Sequence, residues 1–221
     1  MTPKIHVPTL EGRHVRLDPL SRRHVEGLAA ASAADPSLYQ WSPVPQGRSE
    51  AEKYVDTALA WQEAGTAAPF AVVRLADDAV IGSTRFFNLE YWAWPPGHAF
   101  HGRTPQGPTA RDNPVPDACE IGYTWFAANA IRTPANTESK LLMLTYAFET
   151  WRVLRVCLHT DVRNARSRAA IERIGGKFEG ILRAHRMASD FIPRDSARYS
   201  IIAAEWPATK EKLAGLRDGT R

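Results

Sequence analysis

Apolar and polar residues alternate through 13–17 (Arg-His-Val-Arg-Leu), the period of a strand with one buried face, and Asp18 with Pro19 then offers a helix start leading into an alanine-rich run over 22–33. A helical period follows Ser49, which with Glu50 and Glu52 reads as an N-terminal cap; Tyr54, Val55, Ala58, Leu59 and Trp61 share one face, and the helix ends near Gly65. Residues 70–75 and 80–87 are apolar strands joined by a turn at Asp77 and Asp78, a meander expected to pair antiparallel. From 95 to 116 the chain is dense in Pro, Gly, Asn and charged residues, a long loop entered through Tyr91, Trp92 and Trp94 with His98 and Phe100 close behind. The remainder predicts a strand over 119–126, a helix over 136–150, a strand over 155–160, a helix over 165–174, strands over 178–187 and 197–204, and a polar helical tail over 207–216.

Strands interleaved with helices make an α/β protein, and 221 residues with 44% hydrophobic content suffice for one core without disulfides or a structural metal. No repeat or composition break divides the chain, so residues 1–221 are expected to form a single domain. Cys119 and Cys157 lie in apolar strand-like runs, where free buried thiols are the ordinary outcome. No stretch approaches the roughly 20 apolar residues of a membrane span, and residues 1–10 lack the pattern of a secretory leader, so a cytoplasmic protein with no membrane partner is expected. The net charge of +4 comes from 28 basic and 24 acidic residues mixed along the chain; no nucleic-acid motif accompanies it, and nucleic acid is not an expected partner. The densest basic run, Arg163, Arg166, Arg168 and Arg173, reads either as a solvated helix face or as countercharge for an anion.

The chemistry concentrates in 131–140, Ile-Arg-Thr-Pro-Ala-Asn-Thr-Glu-Ser-Lys, a junction into a helix whose first N–H groups face whatever lies off its end. Asn136 or Thr137 can cap the helix and Arg132 can supply countercharge. Single histidines within strands, His159 and His185, have no partner at metal-ligand spacing and read as packed or surface residues; no metal is expected.

The blocks Glu120-Ile-Gly-Tyr-Thr-Trp125 and Asn136-Thr-Glu-Ser-Lys140 with 141–148, followed at the proper spacing by Thr160-Asp-Val-Arg-Asn164, Ala-Arg-Ser167 and Gly175-Gly176, resemble the acetyl-CoA motifs of the GNAT superfamily, and of its RimJ/RimL-type N-acetyltransferases in particular. Leu10 to Leu17 resembles the family's opening strand and Arg194 to Trp206 its closing one, so the likeness covers most of the chain. It implies the GNAT fold, a mixed central sheet of about seven strands with helices on both faces and a splayed parallel pair, here 119–126 and 155–160.

The resemblance also implies acetyl-CoA as cosubstrate, held in the gap between the splayed strands. Its pyrophosphate would lie on N–H groups of Arg132, Thr133, Ala135, Asn136 and Thr137, with Pro134 contributing no donor; the Asn164 amide would bind the pantetheine arm, and Arg168 would be available to a phosphate. The family's loop usually carries a Gln or Arg and two small residues here; the best register places Ile131, Pro134 and Asn136 at those positions, and a register one residue later gives Arg132, Ala135 and Thr137, which keeps the charge. Acetyl transfer to an amine needs a base, an oxyanion donor and a proton returned to the thiolate. Glu120 is the candidate base, its alternative being a structural carboxylate paired with an Arg such as Arg85. A backbone N–H near Phe126 or Ala127 is the candidate oxyanion donor. Many relatives carry a tyrosine acid four residues after the motif serine; this chain has Ile171 there, which leaves Ser167 as the candidate acid, with helix capping as its structural alternative and Tyr199 as a further candidate. Trp41, Tyr91, Trp92 and Trp94 are expected to wall the acceptor side, or else to anchor the long loop. The acceptor is a primary amine on a protein, peptide or small molecule; a homodimer fits the resemblance, and an acyl-CoA-binding regulator without turnover is the competing class.

Overall fold

In the computed structural model, which describes residues 5, 8–101, 115–188 and 191–219, the alternating segments become the strands β1 (Leu10–Glu11), β2 (Val15–Pro19), β3 (Ala67–Arg74), β4 (Ala79–Glu90), β5 (Ala118–Phe126), β6 (Arg155–Asp161), β7 (Lys177–Met187) and β8 (Pro193–Ile202). They form one sheet in the order β1-β2-β3-β4-β5-β6-β8-β7. The sheet has eight strands where about seven were expected, because β1 is two residues long and leaves no readable alternation. Of the long loop, 102–114 lies outside the described residues.

The helices are α1 (Val25–Ala33), α2 (Gly47–Glu63), α3 (Ala135–Thr145), which runs on as a π-helical turn over Tyr146–Trp151, α4 (Ala165–Arg173) and α5 (Trp206–Arg217). Ser49 does not cap α2: the helix begins at Gly47, and the Glu50 carboxylate accepts the N–H of Gln46 at 2.8 Å in its place. Nor does Pro19 open a helix; it ends β2, and Asp18 is a buried carboxylate bonded by Arg16 and Arg23.

The helices cover both faces. On one, α1 and α2 bury Leu28, Val55 and Ala58 against Ala71, Trp125 and Ala127. On the other, Met143, Leu144, Ile171 and Leu213 of α3, α4 and α5 pack against Phe70, Phe86, Tyr199 and Ile201. Each such large apolar side chain contributes about 1.5–3 kcal/mol by leaving water. A polar clip joins α3 to the β1–β2 hairpin: the fully buried Glu138 carboxylate accepts the N–H groups of Arg13, His14 and Val15 at 2.8, 2.6 and 2.8 Å.

The one parallel contact positions the site. β5 and β6 pair over Ala118 with Arg155, Cys119 with Val156 and Glu120 with Cys157, and then part; β5 runs on to Phe126 and β6 to Asp161 without pairing to each other. A V-shaped gap opens towards the starts of α3 and α4, which follow β5 and β6.

Candidate active site

Glu120 occupies the vertex of the V and is 3% exposed. Two irregularities in the β4–β5 ladder, at Asn88 and Tyr123, place residues with positive φ (47° and 51°) on either side of it. The first aims Asn88 Nδ2 at Glu120 Oε2, at 2.9 Å, and Arg186 Nη2 donates to the same oxygen at 3.1 Å. His159 Nδ1 stands 2.9 Å from Oε1, at ion-pair distance but outside hydrogen-bond alignment; both ring nitrogens of this buried histidine are without hydrogen-bond partners among the described residues. The His185 ring lies 5.1 Å from it, and burial, with Arg186 and His159 adding to it, lowers the His185 pKa. A cavity of about 150 Å³ opens on this cluster, lined by Asn88, Glu120, His159 and His185 together with Cys157 and Arg198.

Along β6, Cys157 and His159 point to the Glu120 side, while Val156 and Leu158 enter the core on the other. That alternation was readable in Arg155-Val-Cys-Leu-His-Thr-Asp161, and it puts His159, an enclosed and packed side chain, on the Glu120 face. Asn88 and Arg186 lay beyond reach, since nothing local marks a contact spanning 32 or 66 residues. The alternative pairing of Glu120 with Arg85 is not what forms. Arg186 takes that place, and Arg85 is buried with its guanidinium 4.8, 5.3 and 4.3 Å from the ring centroids of Tyr54, Trp61 and Tyr123.

At the open end of the V, Arg132 adopts a left-handed backbone (φ 63°) before α3, and Pro134 occupies the N-cap position. Neither Asn136 nor Thr137 caps the helix: the Thr133 hydroxyl accepts the N–H of Ala135 at 3.3 Å, and the Thr137 hydroxyl accepts from Arg173 at 2.8 Å. The N–H groups of Asn136 and Thr137 have no acceptor among the described residues. Gly82 and Phe126 face each other as a non-hydrogen-bonded pair flanked by the bond from Ala127 N–H to the Ile81 carbonyl, at 2.8 Å. The Ala127 N–H is therefore spent, whereas the Phe126 N–H points away from β4, into the V.

On α4 the Asn164 side chain caps the helix by accepting the Ser167 N–H at 3.0 Å, leaving its Nδ2 to donate elsewhere. The Ser167 hydroxyl has no hydrogen bond among the described residues, so it is the cap's recipient rather than the cap. Arg168 is turned inward: Nε donates to Tyr199 at 3.0 Å, whose hydroxyl donates to Glu172 at 3.1 Å. This removes Tyr199 from the Glu120 side of the sheet, since its ring is fully buried in the core against α4. Of the four aromatic residues expected around the acceptor, Trp41 stacks on the Arg163 guanidinium at 4.3 Å. Trp92 N–H and Trp94 Nε1 both donate to Asp117, at 2.8 and 2.9 Å, so these two hold the start of the long loop to the foot of β5. Tyr91 is half-buried beside them, its phenol pushed up to about 12 by burial and by Asp117. Asp117 passed unnoticed in the sequence because its role depends on which strand follows it.

Among the described residues no group of three or more His, Cys, Asp and Glu could hold a metal ion, and no helix is long and apolar enough to cross a membrane.

Residues 14–177 match the acetyltransferase (GNAT) domain family. Over 91 residues the chain is 35% identical to YdaF of Bacillus subtilis (strain 168), to which a ribosomal N-acetyltransferase activity is ascribed; the match spans 41% of this chain and 49% of that one, about half its length. Among solved structures, a GCN5-related N-acetyltransferase from Brucella melitensis superposes with a TM-score of 0.77 at 28% identity, covering 97% of this chain and 87% of the other. Mycobacterium smegmatis RimJ, in complex with CoA-disulfide, superposes with a TM-score of 0.70 over 91% of this chain and 88% of its own; at 20% identity the likeness is one of fold.

Proposed function

The chain belongs to the GNAT acetyltransferase family, whose chemistry is acetyl transfer from acetyl-CoA to an amine, and we propose that it performs this transfer by direct attack of a primary amine, with Glu120 as the proton acceptor at the vertex of the V. The observation that carries the reading is the coincidence of three things in one gap: a parallel ladder that ends at Glu120, a Phe126 N–H turned into the opening, and unpaired N–H groups at the start of α3.

These residues fit the cosubstrate. The free amides of Asn136 and Thr137, with Arg132 beside them, suit a pyrophosphate, while Pro134 explains why one donor fewer is offered. The Asn164 Nδ2 suits an amide carbonyl of the pantetheine arm. Bound acetyl-CoA supplies the activated acetyl group; the chain's own residues orient it and move the protons. Glu120 removes a proton from the incoming ammonium, directly or through a water, with Asn88 and Arg186 fixing its carboxylate. The Phe126 N–H stabilises the oxyanion, and the Ser167 hydroxyl returns a proton to the departing thiolate. Arg168 donates through Nε to Tyr199, and its terminal Nη groups suit a phosphate of the cosubstrate.

Isothermal titration with acetyl-CoA, CoA and an unrelated nucleotide tests the reading first. Selective binding of the two CoA compounds is expected; equal or absent binding sinks it. Glu120→Gln is then expected to lower turnover by about 10²–10⁴-fold with acetyl-CoA affinity retained; unchanged turnover removes Glu120 from the mechanism. Ser167→Ala is judged by the same two readouts.

A further inference from the structure

On the Glu120 side of the sheet, nearly every carboxylate is already matched. Glu120 takes Arg186 at 3.1 Å, Glu179 takes Arg155 and Arg198 at 2.7 and 3.1 Å, and Asp161 takes Arg163 at 2.7 Å. Among the described residues of this face, two guanidinium groups have no carboxylate partner. Arg194 sits directly across the β7–β8 ladder from Arg186, a like-charge pair that costs stability and needs an outside reason to persist. Among the described residues its side chain makes no ion pair, and its buried Nε has no hydrogen-bond partner. Arg85 is the second: it is 1% exposed, its buried Nε and Nη2 have no partner, and its charge faces three aromatic rings but no carboxylate. An aromatic layer links Arg85 to Arg186, the cross-strand neighbour of Arg194: the Tyr123 ring lies beneath Arg85 and 5.2 Å from Phe87, over which Arg186 stacks at 5.2 Å. Burial together with Arg186 lowers the Arg194 pKa, while Asp161, Glu120 and Tyr123 raise it, which places Arg194 in the same field as the vertex.

We propose that the acceptor is an acidic amine, one carrying a carboxylate beside the amine to be acetylated, and that Arg194, supported by Arg85, holds that carboxylate while Glu120 meets the ammonium. A guanidinium fork matches a carboxylate in a bidentate manner, and the partly buried Arg194, whose enclosed Nε has no acceptor among the described residues, leaves such a fork for a ligand to complete. Polyamines and lysine-rich segments are disfavoured by the same field. This inference rests on the acetyltransferase reading only for the word acceptor; the binding preference stands separately.

The test is equilibrium binding to the CoA-saturated protein of three hexapeptides with free N-termini, identical except for Asp, Ser or Lys at positions two to four, with free glutamate as a small-molecule arm. The Asp peptide or glutamate is expected to bind at least about tenfold more tightly than the Ser peptide, and the Lys peptide more weakly still. Which of the two acidic probes binds distinguishes a peptide end from a free amino acid. Arg194→Gln is expected to abolish most of the preference, whereas Arg22→Gln, which removes an exposed charge from the α1 side, leaves it intact; a cooperative thermal melt shows that each variant is folded, and Arg85→Lys serves as the second probe if Arg194→Gln is not. Equal binding of the Ser and Asp peptides, or an acidic preference untouched in both Arg194→Gln and Arg85→Lys, overturns the proposal. An acidic preference without acetyl transfer to any probe sinks the enzyme reading and leaves the carboxylate site standing.

Discussion

Lys140 shows how a single residue can set a pH dependence remote from any reaction. It is 5% exposed, its ammonium donates to the hydroxyls of Thr124 and Thr84 at 2.7 and 3.4 Å, and burial brings its pKa down to about 7. The unfolded chain takes up this proton near the ordinary lysine value of 10.5, the folded one only near 7, so stability rises with pH across that window and the full penalty applies below it. Relative to wild type, Lys140→Met is expected to be more stable by roughly 2–4 kcal/mol at pH 7, with the gap closing by pH 10 in urea titrations; a gap constant with pH contradicts the assignment. Gly12 carries the opposite kind of constraint, because a Cβ there would collide with the Glu138 carboxylate. Gly12→Ala should therefore cost about 2–4 kcal/mol in the same measurement, by breaking a clip of three buried hydrogen bonds. At this scale a residue's place within its own strand is legible, as with Glu120 on β5, whereas a partner far along the chain, as Arg186 is to Glu120, is not.

Among the elements, the strands were the most legible, because inward and outward residues alternate through each and only β1 was too short to register. Caps were the least legible. Ser49, Asn136 and Thr137 all have the right chemistry for an N-cap, yet Glu50 and Thr133 act in their stead, since the position of the first turn is decided by what the helix packs against. The same holds for the ladder between β4 and β5, whose irregularities at Asn88 and Tyr123 carry no Gly to announce them. That ladder is unusually tight at Gly82, where any Cβ would enter the Trp125 carbonyl oxygen. Gly82→Ala is expected to shift β5, costing at least about 2 kcal/mol of stability and weakening acetyl-CoA more than tenfold by moving the Phe126 N–H; unaltered affinity in a folded variant detaches that amide from the cosubstrate.

For the molecule as a whole, binding of acetyl-CoA to the folded form alone must raise the unfolding temperature. At a concentration about 100 times the dissociation constant the gain is about 2.7 kcal/mol, or roughly 5–10 °C for a chain of 221 residues. A differential scan with and without acetyl-CoA measures it, and Asn136→Pro, which deletes one of the two free amides, should shrink the shift. The three-residue parallel seam between β5 and β6 has a further consequence. The strands before it and the strands after it form two wings that meet through very few main-chain bonds, so the lips of the V are where the sheet breathes most easily. A cosubstrate lying in that opening would act as a strut between the wings, and deuterium uptake along 121–126 and 158–161 should slow together when it binds, although one of those segments belongs to each wing.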